Sequence, residues 1–345
     1  MMNVLGIETS CDDTAIAIVN EKGLILAQTI YNQFKVHQQW GGVVPELAAR
    51  NHLDKISDAL SQTMSEAHLE YDQLDAVSAT CGPGLIGGVL VGAAFAKAIA
   101  WAKKIPFMAI NHLEGHALSV RLEKNIQFPY LLLLVSGGHC MFVIVKKVGD
   151  YHILGQTLDD AAGECFDKVA RLLDLGWPGG PAVEKAAMNV SNIDIDYNLP
   201  RPMCHRKGCD LSFAGLKSAV QRLVGKFDQK ALETQRDAIA YAFQEAVCDI
   251  LSMRASNALK IGFDMCGPID HFVMAGGVAA NHKLRQRMQI LCAQHQVRFF
   301  APDPALCTDN GAMIAWAGIE AMQAGRKPDI GFRPTPRWRL DQVNV

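Results

Sequence analysis

An excess of charge of one sign is the first thing this chain lacks. Its 33 Lys and Arg stand against 35 Asp and Glu, a formal net charge of −2. No global field draws it to nucleic acid, so any such contact must come from local basic patches. Paired cysteines are lacking too. The ten cysteines form no CxxC pair; Cys204 and Cys209 are the nearest approach, with His205 between them. No second pair at ligand spacing completes a zinc site there. Reduced and mostly buried thiols are expected, the usual state in the cytosol. No basic leader or cleavage site precedes the first strand in MMNVLGIETS, so no secretory signal is expected and a cytoplasmic protein is. Long apolar runs are scarce. Leu85–Ala102 alone could be mistaken for a membrane span, with GxxxG at Gly88 and Gly92, but Lys97 interrupts it. It is barely long enough, and a helix buried against a parallel sheet is the expectation.

What is present is a duplication. Ile25–Thr29 (ILAQT) recurs as Ile153–Thr157 (ILGQT), 128 residues later. The same offset lays Leu5–Glu8 over Leu133–Ser136 and Ile16 over Ile144. With 345 residues, half of them hydrophobic and 20% charged, the chain has the composition of a two-domain globular protein. Apolar periodicity predicts three strands, then a helix over about 45–67, a strand at 76–80, the apolar helix, a strand at 106–110 and a helix from about His112. The second half repeats this order: a long helix over about 236–261, a strand at 271–275, the turn GGVAAN, a helix at 283–295, a strand at 297–301 and a last helix from about Asn310. Each half is β-β-β-α-β-α-β-α. The expected fold is therefore α/β: two duplicated lobes, each a mixed sheet flanked by helices, with a cleft between them. The first lobe spans 1–115 and the second 116–345, with an insertion at about 158–233 and a final helix packing back toward the first lobe.

Several residues could carry chemistry. His112 and His116, in NHLEGH, lie four apart on one helix face, the spacing for two imidazoles on one metal. Asp309, in LCTDNGA, follows the equivalent strand of the second half, so facing lobes would bring the three together. Two histidines and a carboxylate form a set with open positions suited to iron or zinc; Asp309 would otherwise simply cap the last helix. HLEGH is not a zinc-peptidase motif. Glu114 lies two residues from His112, about 200° round the helix, and faces away from the metal. Ser136-Gly137-Gly138 forms a hairpin turn whose backbone N–H groups could converge on a phosphate, or an ordinary tight hairpin. The equivalent first turn, Thr9–Asp13, is acidic. Gly276-Gly277 ends a strand and opens a helix, where ligands of open sheets bind. Gly82, Gly84 and Gly87 match a dinucleotide fingerprint, but no acidic residue ends the next strand, and close packing is the better reading.

The strings GIETSCDDTA, GGVVPELAARNH, GPGLIGGVLVG, NHLEGH, LLVSGGH, GECFDKVARLLDLGWPGGP, SFAGLKSA, VMAGGVAAN and CTDNGAMIA together resemble the tRNA threonylcarbamoyladenosine transferases. The bacterial branch fits best, because archaeal and eukaryotic relatives tend to carry Tyr where Leu134 stands. The resemblance covers nearly the whole chain and implies the actin/Hsp70/sugar-kinase fold. It implies transfer of threonylcarbamoyl from threonylcarbamoyl-AMP to the exocyclic amine of adenosine 37, in tRNAs that read codons beginning with adenine. It implies one divalent metal, iron(II) ahead of zinc, on His112, His116 and Asp309. The adenylate would meet Leu134, Val135, Ser136, Gly137, Gly138, Asp167, Gly180, Glu184 and Asn281, with Asp12 near the reacting group. Asp13, Cys140 and Ala279 depart from the family's usual DET, SGGHT and SAN. The implied partners are tRNA, a shorter paralogue of the same fold and a P-loop ATPase, with no membrane. Basic residues at 326, 327, 333, 337 and 339, and at Arg201, Arg206 and Lys207, are candidate phosphate contacts.

Other classes compete. An ATP-dependent small-molecule kinase would share the fold but needs Mg²⁺ on oxygen ligands rather than imidazoles. A non-catalytic paralogue would not need to keep the histidines. An NAD-dependent dehydrogenase would rest on the Gly82–Gly87 pattern alone.

Overall fold

The computed structural model describes residues 2–124, 126–190 and 197–344; residues 191–196, part of the Pro/Asn-rich loop expected in the insertion, lie outside them. The chain runs β1 (Asn3–Glu8), β2 (Asp13–Asn20), β3 (Ile25–Asn32), α1 (Phe34–His37), α2 (Pro45–Glu66), β4 (Ala76–Gly82), α3 (Ile86–Lys103), β5 (Phe107–Asn111) and α4 (His112–Glu123). It continues with β6 (Tyr130–Val135), β7 (Cys140–Lys147), β8 (Asp150–Gln156), α5 (Ala162–Leu172), α6 (Gly179–Met188), α7 (Ala214–Val224) and α8 (Gln229–Cys266). It closes with β9 (His271–Ala275), α9 (His282–Gln294), β10 (Arg298–Phe300), α10 (Pro304–Cys307) and α11 (Gly311–Gln323).

Contacts divide the chain into two compact units. One holds Met1–Ile126, Lys146–Tyr151 and Thr308–Val345; the other holds Gln127–Val145 and His152–Cys307. The expected lobe boundary at 115/116 falls within α4 and this division at 126/127 falls after it, and 308–345 are counted with the first unit.

Each unit carries one five-stranded mixed sheet, ordered β3-β2-β1-β4-β5 in the first and β10-β9-β6-β7-β8 in the second. In both, the first strand is central, antiparallel to the next strand and parallel to the one after the helical crossover. The duplication is thus topological, but the residue register is not kept. Ile16 lies opposite Ile7, whereas Ile144 lies opposite Leu131, where the 128-residue offset predicts Val135. The first hairpin closes at Glu8 and Ala15, the second at Val135 and Cys140. A turn shorter by two residues resets the pairing behind it.

The central strands are buried on both faces: Val4, Leu5 and Ile7 in β1, and Leu131–Val135 in β6, have no exposed surface. This explains their continuous apolar runs. In the first unit, α11 packs on β1 through Gly6 and Gly311; a Cβ on Gly6 would stand 2.2 Å from the Gly311 carbonyl oxygen. Helix α3 packs on the turn after β1 in the same way, with Thr9 filling the space above Gly88 and Gly92. Among the described residues α3 is the one helix long and apolar enough to cross a membrane. Its expected burial is only half realised, since Ile86, Leu90 and Trp101 on the outer side are exposed. In the second unit the core gathers Phe142, Phe166, Phe213 and Phe272 with Phe243 of α8. That helix begins seven residues before the expected start, because Asp228 caps it by accepting the Ala231 N–H at 2.7 Å, a standard N-cap role.

Candidate metal centre and donor residues

Strand β5 ends at Asn111, whose side chain accepts the Leu113 N–H at 2.9 Å and so starts α4. His112 is the first residue of that helix and His116 comes one turn later. Their rings lie 4.8 Å apart with planes at 85°. Nε2 of His116 is 3.1 Å, and Nε2 of His112 3.6 Å, from Oδ1 of Asp309. Among the described residues this is the one group of His, Cys, Asp or Glu at metal-holding distance, its donor atoms all within 4.8 Å of one another. Donors sharing an ion at about 2.0–2.2 Å stand roughly 3–3.5 Å apart, so the three fit a divalent cation.

Asp309 differs from expectation in one respect. It belongs, with the histidines, to the first unit, so the set is not assembled from opposite lobes. It does not cap α11. Asn310 does that, accepting the Met313 N–H at 2.8 Å, and Asp309 is left to turn toward the imidazoles.

Glu8 escaped the sequence reading. It is wholly buried, and one carboxylate oxygen lies 2.9 Å from Nδ1 of His112. Its signal was available: an acidic residue closing an otherwise apolar strand is seldom buried without a partner. Burial pulls the His112 pKa down, but the Glu8 and Asp309 carboxylates outweigh it and carry it up to about 9. Burial raises Glu8, yet His112 more than offsets it and the net shift is downward. Asp12 is raised chiefly by burial, helped by Asp309 and opposed by a hydrogen bond from Cys11. Asp13 is raised to about 7 by burial and by the neighbouring Asp309 and Asp12 charges, although Asn32 donates to it. Four carboxylates thus concentrate negative charge around two imidazoles, an arrangement that favours a cation.

The residues named for the adenylate lie in the second unit. Leu134 and Val135 are fully buried in β6 and paired within the sheet, so their side chains are closed to a ligand. Gly137 and Gly138 differ from them. A Cβ on either would meet nothing within 4 Å, and neither has positive φ. Neither packing nor backbone conformation asks for glycine there. Gly180 is equally open. Asp167 accepts the Gly179 N–H at 2.7 Å and Glu184 the His282 N–H at 2.7 Å, so each holds a helix start. Asn281 caps α9 through Leu284 N–H and donates to Gln244, both at 2.9 Å. Gly276 has φ 94°, and a Cβ there would stand 2.4 Å from the Val135 carbonyl oxygen.

Other expectations resolve locally. Glu114 faces away from the metal group, gripped by Arg326 and Tyr151. Arg326 is therefore no phosphate contact, and Arg201 and Arg339 are paired with Asp249 and Asp341. Arg206, Lys207, Lys327, Arg333 and Arg337 remain exposed. Gly84 and Gly87 press on Ser10 and Ala49, the close packing expected of that pattern. All ten cysteines are free thiols.

A family model described as tRNA N6-adenosine threonylcarbamoyltransferase matches residues 24–316. A protein of that description from Paramagnetospirillum magneticum is 49% identical over 99% of this chain and 97% of its own length. Another, from Rhodospirillum rubrum, is 50% identical over 98% of this chain and 94% of its own. Among solved structures, component A of the Acidaminococcus fermentans (R)-2-hydroxyglutaryl-CoA dehydratase superposes with a TM-score of 0.54 at 14% identity, covering 94% of this chain and 100% of that one. That likeness concerns the fold alone, which is the actin- and sugar-kinase-like fold expected. By length of match and identity, this chain belongs to the tRNA N6-adenosine threonylcarbamoyltransferase family.

Proposed function

We propose that this chain moves the threonylcarbamoyl group of threonylcarbamoyl-AMP onto the exocyclic amine of adenosine 37 in tRNAs that read codons beginning with adenine. One coincidence carries the reading. A chain matched by this family over residues 24–316 also brings the Nε2 atoms of His112 and His116 to 3.6 and 3.1 Å from one Asp309 oxygen. The kinase alternative finds no such support, since it calls for oxygen ligands to Mg²⁺.

His112, His116 and Asp309 would hold a divalent ion, iron(II) ahead of zinc. The chemistry such an ion supplies when bound is Lewis-acid polarisation of donor oxygens. The N–H groups of Gly137 and Gly138 take the donor phosphate and stabilise the departing AMP, while the Ser136 N–H closes the turn on the His139 carbonyl at 2.8 Å. Gly180, Asp167, Glu184 and Asn281 line the adenylate, the last three also holding helix starts in place. The amine forms the new C–N bond to the carbamoyl carbon as the bond to the phosphate oxygen breaks, AMP leaves with that bond's electron pair, and the amine's surplus proton passes to water. Asp12 orients that amine through its carboxylate. Exposed Arg206, Lys207, Arg333 and Arg337 contact tRNA phosphates, which makes binding weaken as salt rises. In the cell the chain works in the cytoplasm beside a shorter paralogue of its fold and a P-loop ATPase.

The test is single-turnover transfer from purified threonylcarbamoyl-AMP to unmodified tRNA. Wild type is expected to modify it and His116→Ala to fail while keeping its circular dichroism spectrum. Modification by His116→Ala at the wild-type rate would refute the metal assignment, and wild type inert with donor, tRNA and both partners would refute the activity.

A further inference from the structure

Glu8 spends both carboxylate oxygens inside the first unit. Oε1 accepts the Ser10 N–H at 2.5 Å. Oε2 accepts the Thr80 hydroxyl at 2.5 Å and lies 2.9 Å from Nδ1 of His112. An ionised carboxylate can only accept, so the proton of that contact belongs to Nδ1. A neutral imidazole protonated at Nδ1 carries its lone pair on Nε2, the atom that faces Asp309. His116 has no such partner on Nδ1, which is buried without a hydrogen bond, and its contact with a carboxylate runs through Nε2, 3.1 Å from Asp309. The two imidazoles are therefore unequal: only His112 has its Nδ1 held by a carboxylate on the side away from Asp309.

We propose that Glu8 is the positioning residue of the metal centre, fixing His112 as the Nδ1–H tautomer so that Nε2 is presented as a lone-pair donor to a divalent cation. The cation part rests on the metal reading above; the tautomer part stands alone.

Glu8→Gln separates the alternatives. The Ser10 N–H is a donor that cannot reverse, so it keeps the amide oxygen at the Oε1 position. The new NH₂ then faces Thr80, whose hydroxyl can serve in either role, and Nδ1 of His112, which meets that NH₂ by accepting; Ser10 Oγ, 3.1 Å from the same Nδ1, can serve in either role. The ring proton moves to Nε2 and blocks the metal position. In ¹⁵N-histidine-labelled protein above pH 9, where wild-type His112 has lost its second proton, two-bond ¹H–¹⁵N spectra of the neutral ring are expected to show Nδ1–H in wild type and Nε2–H in Glu8→Gln. Zn²⁺ affinity, measured by chelator competition, is expected to fall about 10–100-fold, the usual effect of losing such an outer partner. Thr80→Val, which removes another buried bond to Glu8, is expected to leave the tautomer unchanged and affinity within about twofold.

Wild-type affinity and tautomer in Glu8→Gln would overturn the proposal, as would an equal loss in Thr80→Val. If Glu8→Gln does not fold, the wild-type spectrum decides: an Nε2–H His112 overturns it and an Nδ1–H His112 upholds it. If His112→Ala binds Zn²⁺ as wild type does, the metal reading fails, and the His112 spectrum still judges Glu8 separately.

Discussion

Arg326 closes a two-nitrogen fork on Glu114, Nη1 to Oε2 at 2.8 Å and Nη2 to Oε1 at 2.7 Å, with the Glu114 side chain wholly buried and that of Arg326 only 11% exposed. Tyr151 donates to the same carboxylate at 2.7 Å. The acidic residue inside HLEGH is thus a structural anchor between α4 and the segment after α11. Removing one member of a buried pair strands the other charge. Arg326→Leu is expected to cost about 3–5 kcal/mol in urea unfolding with Zn²⁺ affinity within twofold of wild type in the folded protein. A parallel loss of metal affinity would show that Glu114 serves the centre after all.

Glycines of the two units separate packing from ligand space. Gly6→Ala forces a Cβ to within 2.2 Å of backbone, and failure to fold, or a loss above about 4 kcal/mol, is expected. Gly137→Ala places its methyl in open space, so stability should stay within about 0.5 kcal/mol. The same methyl would crowd a phosphate on that turn, and KM for threonylcarbamoyl-AMP is expected to rise at least tenfold. An unchanged KM would remove Gly137 from the donor site.

Asp13 offers a pH test in metal-free protein. Its folded pKa, about 7, lies above the ordinary carboxylate value, so the folded state holds that proton more tightly than the unfolded state. The stability this contributes is fully present below about pH 4 and is lost as pH rises through about 7. Asp13→Asn should be more stable than wild type at pH 8, by about 1–3 kcal/mol given its partial exposure, with the advantage vanishing toward pH 4. A difference independent of pH would show that Asp13 titrates normally.

Thiol chemistry checks the core. Burial pushes Cys140, Cys165, Cys248 and Cys292 up to about 12, and thiolate is the reactive form. Iodoacetamide at pH 8 is expected to leave these four unmodified in native protein for hours and to label all ten cysteines in guanidinium. Mass spectrometry of the native digest reads the result; early labelling of Cys248 would mean that α8 opens locally.

Much of this architecture is readable from pattern. Strands of β-branched and leucine-rich runs, the GxxxG helix, the cap residues and the repeated ILxQT motif suffice for a duplicated β-β-β-α-β-α-β-α chain, and α2, β4, β5 and β9 begin within a residue of their expected starts. Register was not readable, because a turn two residues shorter changes every pair behind it. The outer side of α3 was misjudged because apolar periodicity does not say whether a second layer covers it.

The linear chain by itself determined the order of elements, the spacing of His112 and His116 on one helix face and the outward turn of Glu114, since all three follow from local periodicity. Tertiary structure alone decided that Asp309 joins those histidines from within their own unit, that Asn310 takes over capping, and that Glu8, 104 residues before His112, dictates a ring proton. Contacts between residues distant in sequence depend on how sheets and helices pack, and only burial turns a carboxylate beside an imidazole into a constraint with one solution.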